Sequence, residues 1–366
     1  MEKRTFYLPP YLKALTVMLF IIVLVYLLVI GKSLLVPLFM GGFFAVLFTP
    51  LSNWLENYRV PRVVTGVVSL LLMIGIVVGL VSFIIANVVS FANDFENVSD
   101  RLTSILIQLE TWLASSFGVN EKLAEKFNSE VILNYINENS SSISAFALNA
   151  IGSLTGLILI PIFMFFFLLY RDHLTQMMVK IYADKDPSLV KMRIISLRKL
   201  VQNYISGVGK VMVILAVLNI TAYSVIGVEH AIFFGLLGAI LNIIPYIGPL
   251  IGVILPVVYS FLTMDSLLAP VFVLISYQVI QTLEGNFLTP KIVGGNVNLN
   301  AFMTFLGLLI GGSIWGVAGM ILVIPTMAIL REIFELSEST QPFALLLGEE
   351  KTETKPSTST DEIEHD

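Results

Sequence analysis

The 366-residue chain contains no cysteine, and charged residues make up only 13% of it. The absence of cysteine excludes disulfides, thiolate metal sites and cysteine nucleophiles. The histidines His173, His230 and His365 are far apart in the chain, and no H-E-x-x-H zinc motif occurs. The stretch "GGSI" at 311–314 resembles a serine-nucleophile turn, but no histidine follows it in a membrane segment to act as base. The sequence therefore predicts no enzyme activity, no metal site and no cofactor.

The chain is strongly apolar, with 56% hydrophobic residues and a mean hydropathy of +0.88. A helix needs about 20 mostly apolar residues to cross the hydrocarbon core of a bilayer. About six segments meet that need as full spans: 15–30, 34–51, 63–89, 151–170, 211–228 and 267–283. The sequence predicts an all-α polytopic membrane protein, with the lipid bilayer as its surroundings and with two further segments that are broken or re-entrant.

The connectors between spans differ in charge, and this difference predicts the orientation of the chain. The loop after the second span carries Arg59 and Arg62, and the connector 171–210 is mainly basic. The region 90–149 is mainly acidic. Because cytoplasmic loops of membrane proteins carry an excess of Lys and Arg, we expect the basic connectors and both termini to be cytoplasmic.

Composition divides the chain into five regions. An insert of amphipathic helices outside the cytoplasm is predicted from its helical spacing of apolar residues, and the acidic tail is predicted to be disordered. The basic connector is predicted to lie along anionic lipid headgroups rather than on nucleic acid. The regions are a three-span unit at 1–89, the insert at 90–150, a span and basic connector at 151–210, a transport core at 211–347 and the tail at 348–366.

The uncharged run 231–262 is too long for one straight span and too short for two, and "NIIPYIGP" stands at its centre. Pro245 and Pro249 lack an amide donor and disfavour helical geometry in the preceding residue, and Gly248 lies between them. The alternative is a long helix that is merely kinked. We expect a break, which membranes tolerate only where protein or a water-filled cavity covers it. Asn242 and Tyr246 would then be available to a solute or ion.

The next segment, 267–283, ends in polar residues that predict a second feature of interest. At 100° per residue, its polar side chains fall on one face of a helix. They are Tyr277, Gln278, Gln281 and Glu284. A carboxylate at the centre of a span costs on the order of 3 kcal/mol. Glu284 is therefore either a residue at the water boundary or a proton or cation site.

The last apolar segment, 301–330, repeats the pattern of the first broken one. It is uncharged, too long for one span, and interrupted at "GGSIWG", with Gly311 and Gly312 at the start of the interruption. Pro325 adds a second weak point, and the stretch "FLTPKIVGGNVNLN" before the segment is predicted as a loop. Two interrupted segments in one half of a chain are typical of transporters whose binding site is built from broken helices.

These motifs resemble those of the AI-2E family, the autoinducer-2 exporter-like or PerM-like membrane proteins. The resemblance rests on "GLLGAILNIIPYIGPLIGVILP" at 235–256, "QTLEGNFLTPKIVGG" at 281–295 and "GGSIWGVAGMILVIPTMAIL" at 311–330. The matching residues are Asn242, Pro245, Gly248, Pro249, Gln281, Glu284, Pro290, Gly294, Gly311, Gly312, Gly316, Gly319 and Pro325. Most of them shape the backbone.

The resemblance implies a transporter of the bacterial inner membrane with eight membrane segments. Its members are proposed to export autoinducer-2 or to exchange sodium or lithium for protons, so the expected partner is a small molecule or an ion. A homo-oligomeric channel is a further alternative, with Asn219, Thr221, Tyr223 and Ser224 as the scattered polar residues of a path. A scaffold or regulator that uses the acidic outer helices is another.

Overall fold

The computed structural model is helical throughout the part of the chain that it describes. That part comprises residues 9–94, 104–105, 107–108, 111, 114–116, 158–181, 187–293, 299–335 and 338–349. Across these ranges the one pairing of extended backbone is an isolated bridge between Leu299 and Gly348. The all-α prediction is confirmed. The predictions for the insert at 90–150 and for the tail lie almost wholly outside the described residues.

The described N-terminal region has four helices, of which the last three pack around one apolar cluster while the first has no buried residue. They are α1 Pro10–Ile30, α2 Lys32–Asn57, α3 Arg62–Asp94 and α4 Leu159–Ile181. Helices α2 and α4 contact each other most extensively, and Met164 and Leu168 are fully buried between them. A methyl group added at Gly41 would lie 3.0 Å from the carbonyl oxygen of Ile160, so glycine permits the close approach of these two helices.

The C-terminal region is built from one long helix and two helical hairpins. Its elements are α5 Pro187–Ile226, α6 Ala231–Leu241, α7 Ile247–Thr263, α8 Ala269–Leu283, a π-helix Glu284–Leu288, α9 Thr289–Ile292, α10 Ala301–Trp315, α11 Val317–Phe334 and α12 Gln341–Leu347. Helices α6 and α7 pack on each other as the first hairpin, and α10 and α11 as the second. Both breaks predicted from the sequence are therefore present in the structure.

Five helices are long and apolar enough to cross a membrane, in the part of the chain that the structure describes. They are Pro10–Ile30, Lys32–Asn57, Arg62–Asn87, Val190–Ile226 and Val317–Phe334. Helices α6, α7 and α10 are apolar but shorter, as expected of broken segments. Helix α4 carries Arg171 and Asp172 in its second half, so only its first half is free of charge.

The basic connector is continuous with the fifth span over 187–210, and its contact with lipid headgroups stays a prediction. Helix α5 runs without a break for 40 residues, about 60 Å, and so joins the connector to the fifth span. The apolar side chains Val201, Tyr204 and Ile205 are buried in the largest hydrophobic cluster, where they pack with residues of the later helices. Protein therefore covers this face of the connector, while Lys191, Arg193 and Lys199 remain exposed.

The stretch 287–300, predicted as a loop, is helical over 287–292. Pro290 has no N–H to donate, and the chain widens into a π-helix before it instead of ending. In this turn the Thr289 N–H donates to the carbonyl of Glu284. Pro290 lies at the start of α9, where the missing N–H leaves no helical hydrogen bond unmade.

Candidate functional site

The first break lies at 242–246, between α6 and α7. Tyr246 has φ 65°, a left-handed backbone that non-glycine residues rarely adopt, and it turns the chain back into α7. A methyl group at Gly248 would clash with the carbonyl oxygen of Leu241, so only glycine fits where the two helices meet. Pro245 is half-buried within this turn. The predicted hairpin tip therefore depends on the left-handed backbone of Tyr246 and on the absence of a side chain at Gly248.

Helix α8 holds the start of α7 in place through a side-chain hydrogen bond. The Tyr277 hydroxyl donates to the carbonyl of Pro249 at 2.7 Å, and Tyr277 is buried. A methyl group at Gly252, one turn further along α7, would lie 3.5 Å from the Tyr277 oxygen and 3.2 Å from Cα of Gly238 on α6. We call this meeting point of Gly238, Gly252 and Tyr277 the glycine crossing.

Asn219 on α5 completes the glycine crossing, although the sequence pointed to it only as part of a channel path. Its side chain is 3% exposed, and a methyl group at Gly238 would lie 3.8 Å from its Nδ2. Its Oδ1 is buried and accepts no hydrogen bond from any residue that the structure describes. Tyr223, one turn further along α5, is 1% exposed. A lone asparagine in an uncharged span was the sequence signal for this site.

Glu284 lies in the π-helix and is half-buried. One oxygen of its carboxylate accepts a hydrogen bond from Gln281 Nε2 at 3.0 Å, and the other accepts one from the Thr289 hydroxyl. Both donors are neutral, and in the described part of the chain no cationic group lies within 4.0 Å of the carboxylate. π-Helical turns occur frequently at functional sites. The carboxylate of Glu284 is thus held by neutral donors at the start of the π-helix.

In the structure, the polar side chains predicted to share one face of 277–284 have different surroundings. Tyr277 faces the glycine crossing, whereas Gln281 turns to Glu284. Gln278 is exposed, and Pro290 is exposed beyond the π-helix. Asn242 is half-buried at the end of α6, one turn after Gly238 on the same face.

The second break lies at Gly316, whose φ of 62° reverses the chain between α10 and α11. A methyl group at Gly311 would lie 2.8 Å from the Gly319 carbonyl oxygen, and one at Gly312 would lie 2.5 Å from Cε of Met320. Gly311 and Gly312 thus allow α10 and α11 to pack closely on each other. The Trp315 indole donates to the carbonyl of Leu28 at 2.9 Å, which ties the hairpin to α1.

An ion-pair network joins α2, α3 and α4 at the end that carries the basic loop. Arg171 lies 2.6 Å from Glu56, and Arg62 lies 2.7 Å from Asp172. Arg171 also donates to the fully buried Ser52 at 3.3 Å. The sequence pointed to Arg62 and Arg171 only as markers of orientation, because the pairing of Arg171 with Glu56 across 115 residues has no local signal.

An open groove of about 700 Å³ lies between α5 and α8, bounded by the end of α7. Ala222 and Ile226 line it, and both share the α5 face of Asn219 at helical spacing. Ser276, next to Tyr277, lines the opposite wall. The groove falls in the size range of small-molecule sites and lies about one helical turn from Asn219.

Comparison with known proteins places these features in a family. The model of the AI-2E family transporters matches residues 15–338. The AI-2 transport protein TqsA of Escherichia coli (strain K12) is 24% identical over 329 residues, which cover 87% of this chain and 90% of TqsA.

Two proteins of Bacillus subtilis (strain 168) match over shorter stretches. The putative transport protein YueF is 28% identical over 229 residues, 61% of this chain and 60% of YueF. The putative transport protein YrrI is 36% identical over 129 residues, 35% of this chain and 36% of YrrI. The matches thus span less than two thirds of the length of these two relatives.

Proposed function

This chain belongs to the AI-2E transporter family, and we propose that it is a secondary transporter that exports a small solute from a bacterium. The family and the apolar helices make it a multi-pass membrane transporter. The solute, the direction and the inner membrane are part of the proposal. The observation that carries it is the glycine crossing, where a broken helix meets a buried asparagine whose acceptor oxygen has no donor.

Interrupted helices serve transport because they bring polar backbone and side-chain groups to membrane depth. The stretches 211–226, 231–241, 247–263 and 269–283, which meet at the glycine crossing, contain no charged residue. Such surroundings favour a neutral solute, since a buried unpaired charge is costly. A neutral, hydroxylated molecule of the autoinducer-2 kind fits this requirement.

Glu284 is the proposed coupling residue. Its carboxylate is half-buried, accepts hydrogen bonds from neutral groups, and lies in the π-helix that directly continues α8. Binding of a proton there would neutralise the charge and change its bonds to Gln281 and Thr289. Because Tyr277 on the same helix binds α7, a shift of α8 would reach the glycine crossing.

The proposed orientation places the N-terminus and the C-terminus in the cytoplasm. The exposed basic residues of α5, such as Lys191, Arg193 and Lys199, lie before its apolar part. Arg171 and Arg62 belong to the ion-pair network that joins the end of α2, the start of α3 and the second half of α4. The positive-inside rule assigns both sets to the cytoplasmic side.

The test is efflux of autoinducer-2 from proteoliposomes that contain the purified full chain, with and without a pH gradient. We expect efflux that the gradient accelerates, and at least a tenfold loss in Glu284→Gln, which keeps the shape of the side chain but not its charge. Glu335→Gln is the matched control, because Glu335 pairs with Arg331 on α11 away from the glycine crossing. Gradient-driven efflux that survives Glu284→Gln would remove this residue from the coupling.

Sodium or lithium exchange for protons is the second candidate function. The observation in its favour is the Glu284 carboxylate, which has no cationic partner within 4.0 Å among the described residues. Uptake of radioactive sodium into the same vesicles, driven by an outward proton gradient, separates the two candidates. Sodium uptake without autoinducer-2 efflux would favour the exchanger.

A further inference from the structure

We infer that Asn219 is a binding residue of the transporter and that its Oδ1 accepts a hydrogen bond from a hydroxyl group of a small neutral solute at the glycine crossing. This inference deepens the proposed function and rests on it. It begins from one buried oxygen that has no hydrogen-bond partner among the described residues, on a side chain that is 3% exposed.

The backbone of α5 cannot supply the missing donor. In the interior of a helix every N–H is already bonded to the carbonyl four residues earlier. A hydroxyl side chain can donate to such a carbonyl, as Thr221 does to Val217 at 2.7 Å. An amide oxygen can only accept, so Oδ1 needs a donor from another helix or from a ligand.

The neighbouring helices do not supply the donor either. The hydroxyl of Tyr277 donates to the carbonyl of Pro249 at 2.7 Å. The buried Ser260 donates to the carbonyl of Val257 at 3.0 Å, within its own helix. An unsatisfied buried acceptor is costly, and it is therefore rare unless the site binds something.

The surroundings define the chemistry of the solute. The four uncharged stretches around Asn219 disfavour a cation or an anion, whereas a hydroxyl group supplies the donor that Oδ1 lacks. The buried Tyr223, one turn along α5, is a second polar residue on the same face of this helix. The open groove brings room for a small molecule to within about one turn of Asn219.

The test measures the melting temperature of the purified full chain in detergent, with erythritol, ribose, autoinducer-2 or sodium chloride as the probe. We expect at least one neutral hydroxylated probe to raise the melting temperature of the parent. Asn219→Leu, close in size but without the acceptor, should weaken that binding at least tenfold. Without probe it should melt about 2 °C higher than the parent, because no unsatisfied oxygen remains.

Two further variants separate binding from folding. Tyr223→Phe removes a single oxygen and should weaken binding about threefold to tenfold. Thr221→Val is the matched control, because Thr221 is exposed on α5 and bonds only to its own helix. It should respond to the probe as the parent does.

The inference is overturned if Asn219→Leu keeps the affinity of the parent, which would make Oδ1 the site of a structural water. It is also overturned if no probe shifts the parent, or if sodium chloride alone shifts it through Asn219. Parallel flux measurements keep the two proposals apart. Flux that Asn219→Leu leaves unchanged defeats this inference alone, whereas Asn219-dependent binding without any flux defeats the transport proposal alone.

Discussion

The two hairpins, α6–α7 and α10–α11, each fold an apolar segment that is too long for one membrane span. They differ in the residues that surround them. The first is held by a tyrosine hydroxyl and lies beside a buried asparagine without a donor. The second is closed by glycine packing at Gly311 and is tied to α1 by Trp315. The difference shows that a break in a membrane segment predicts where the chain turns. The neighbouring helices determine whether polar groups lie beside that turn.

The largest expected effect would come from filling the glycine contacts that both hairpins share. In Gly248→Ala and Gly319→Ala the new methyl group would clash with the backbone, at the carbonyls of Leu241 and Gly311. We expect each variant to lose about 3 kcal/mol of stability, seen as a lower melting temperature and yield. Gly79→Ala is the control, because open space surrounds Gly79 on α3. A stable Gly248→Ala protein would contradict the hairpin geometry.

A matched pair of substitutions sharpens the comparison at intermediate size. Tyr277→Phe removes the donor to Pro249, and Trp315→Phe removes the donor to Leu28. Tyr277→Phe should cost about 1 kcal/mol of stability, the usual value of one hydrogen bond, and Trp315→Phe somewhat more, because it also loses ring contact with Phe39. In proteoliposome efflux we expect Tyr277→Phe to lose severalfold and Trp315→Phe to match the parent. Equal losses in both variants would show that the two hairpins share the transport role.

The smallest expected effects on efflux and stability come from alanine substitutions at Gly252 and Gly312. Gly252→Ala would press on Gly238 and on the Tyr277 hydroxyl, and we expect about twofold slower efflux with less than about 1 kcal/mol of lost stability. Gly312→Ala would press only on the flexible end of Met320. Its efflux should not change. Slower efflux in Gly312→Ala, with unchanged efflux in Gly252→Ala, would indicate that the second hairpin and not the first faces the solute.

The sequence predicted the breaks well because their causes are local. Pro245, Gly248 and Pro249 act through missing donors and close approach, and these properties belong to the residues themselves. The turn at Gly316 was predicted in the same way. The all-helical fold followed from the length and apolar character of the runs.

The rest depended on contacts between distant segments. Helix α5 continues through the basic connector because later helices cover Tyr204 and its neighbours, which periodicity cannot reveal. The pairing of Arg171 with Glu56 crosses 115 residues. Asn219 was visible as a polar residue in an apolar span, but only the position of Gly238 beside it shows that it faces the first hairpin.

The central claim is that the first hairpin, and not the second, faces the solute. The chain contains no cysteine, so a single introduced thiol can be labelled without background. Asn242→Cys and Ile314→Cys each place a thiol beside one break, at half-buried positions. With the neutral probe that stabilises the parent, we predict several times slower reaction of the thiol at position 242 with a small water-soluble reagent and no change at position 314. Protection at both positions, or at position 314 alone, would contradict the account.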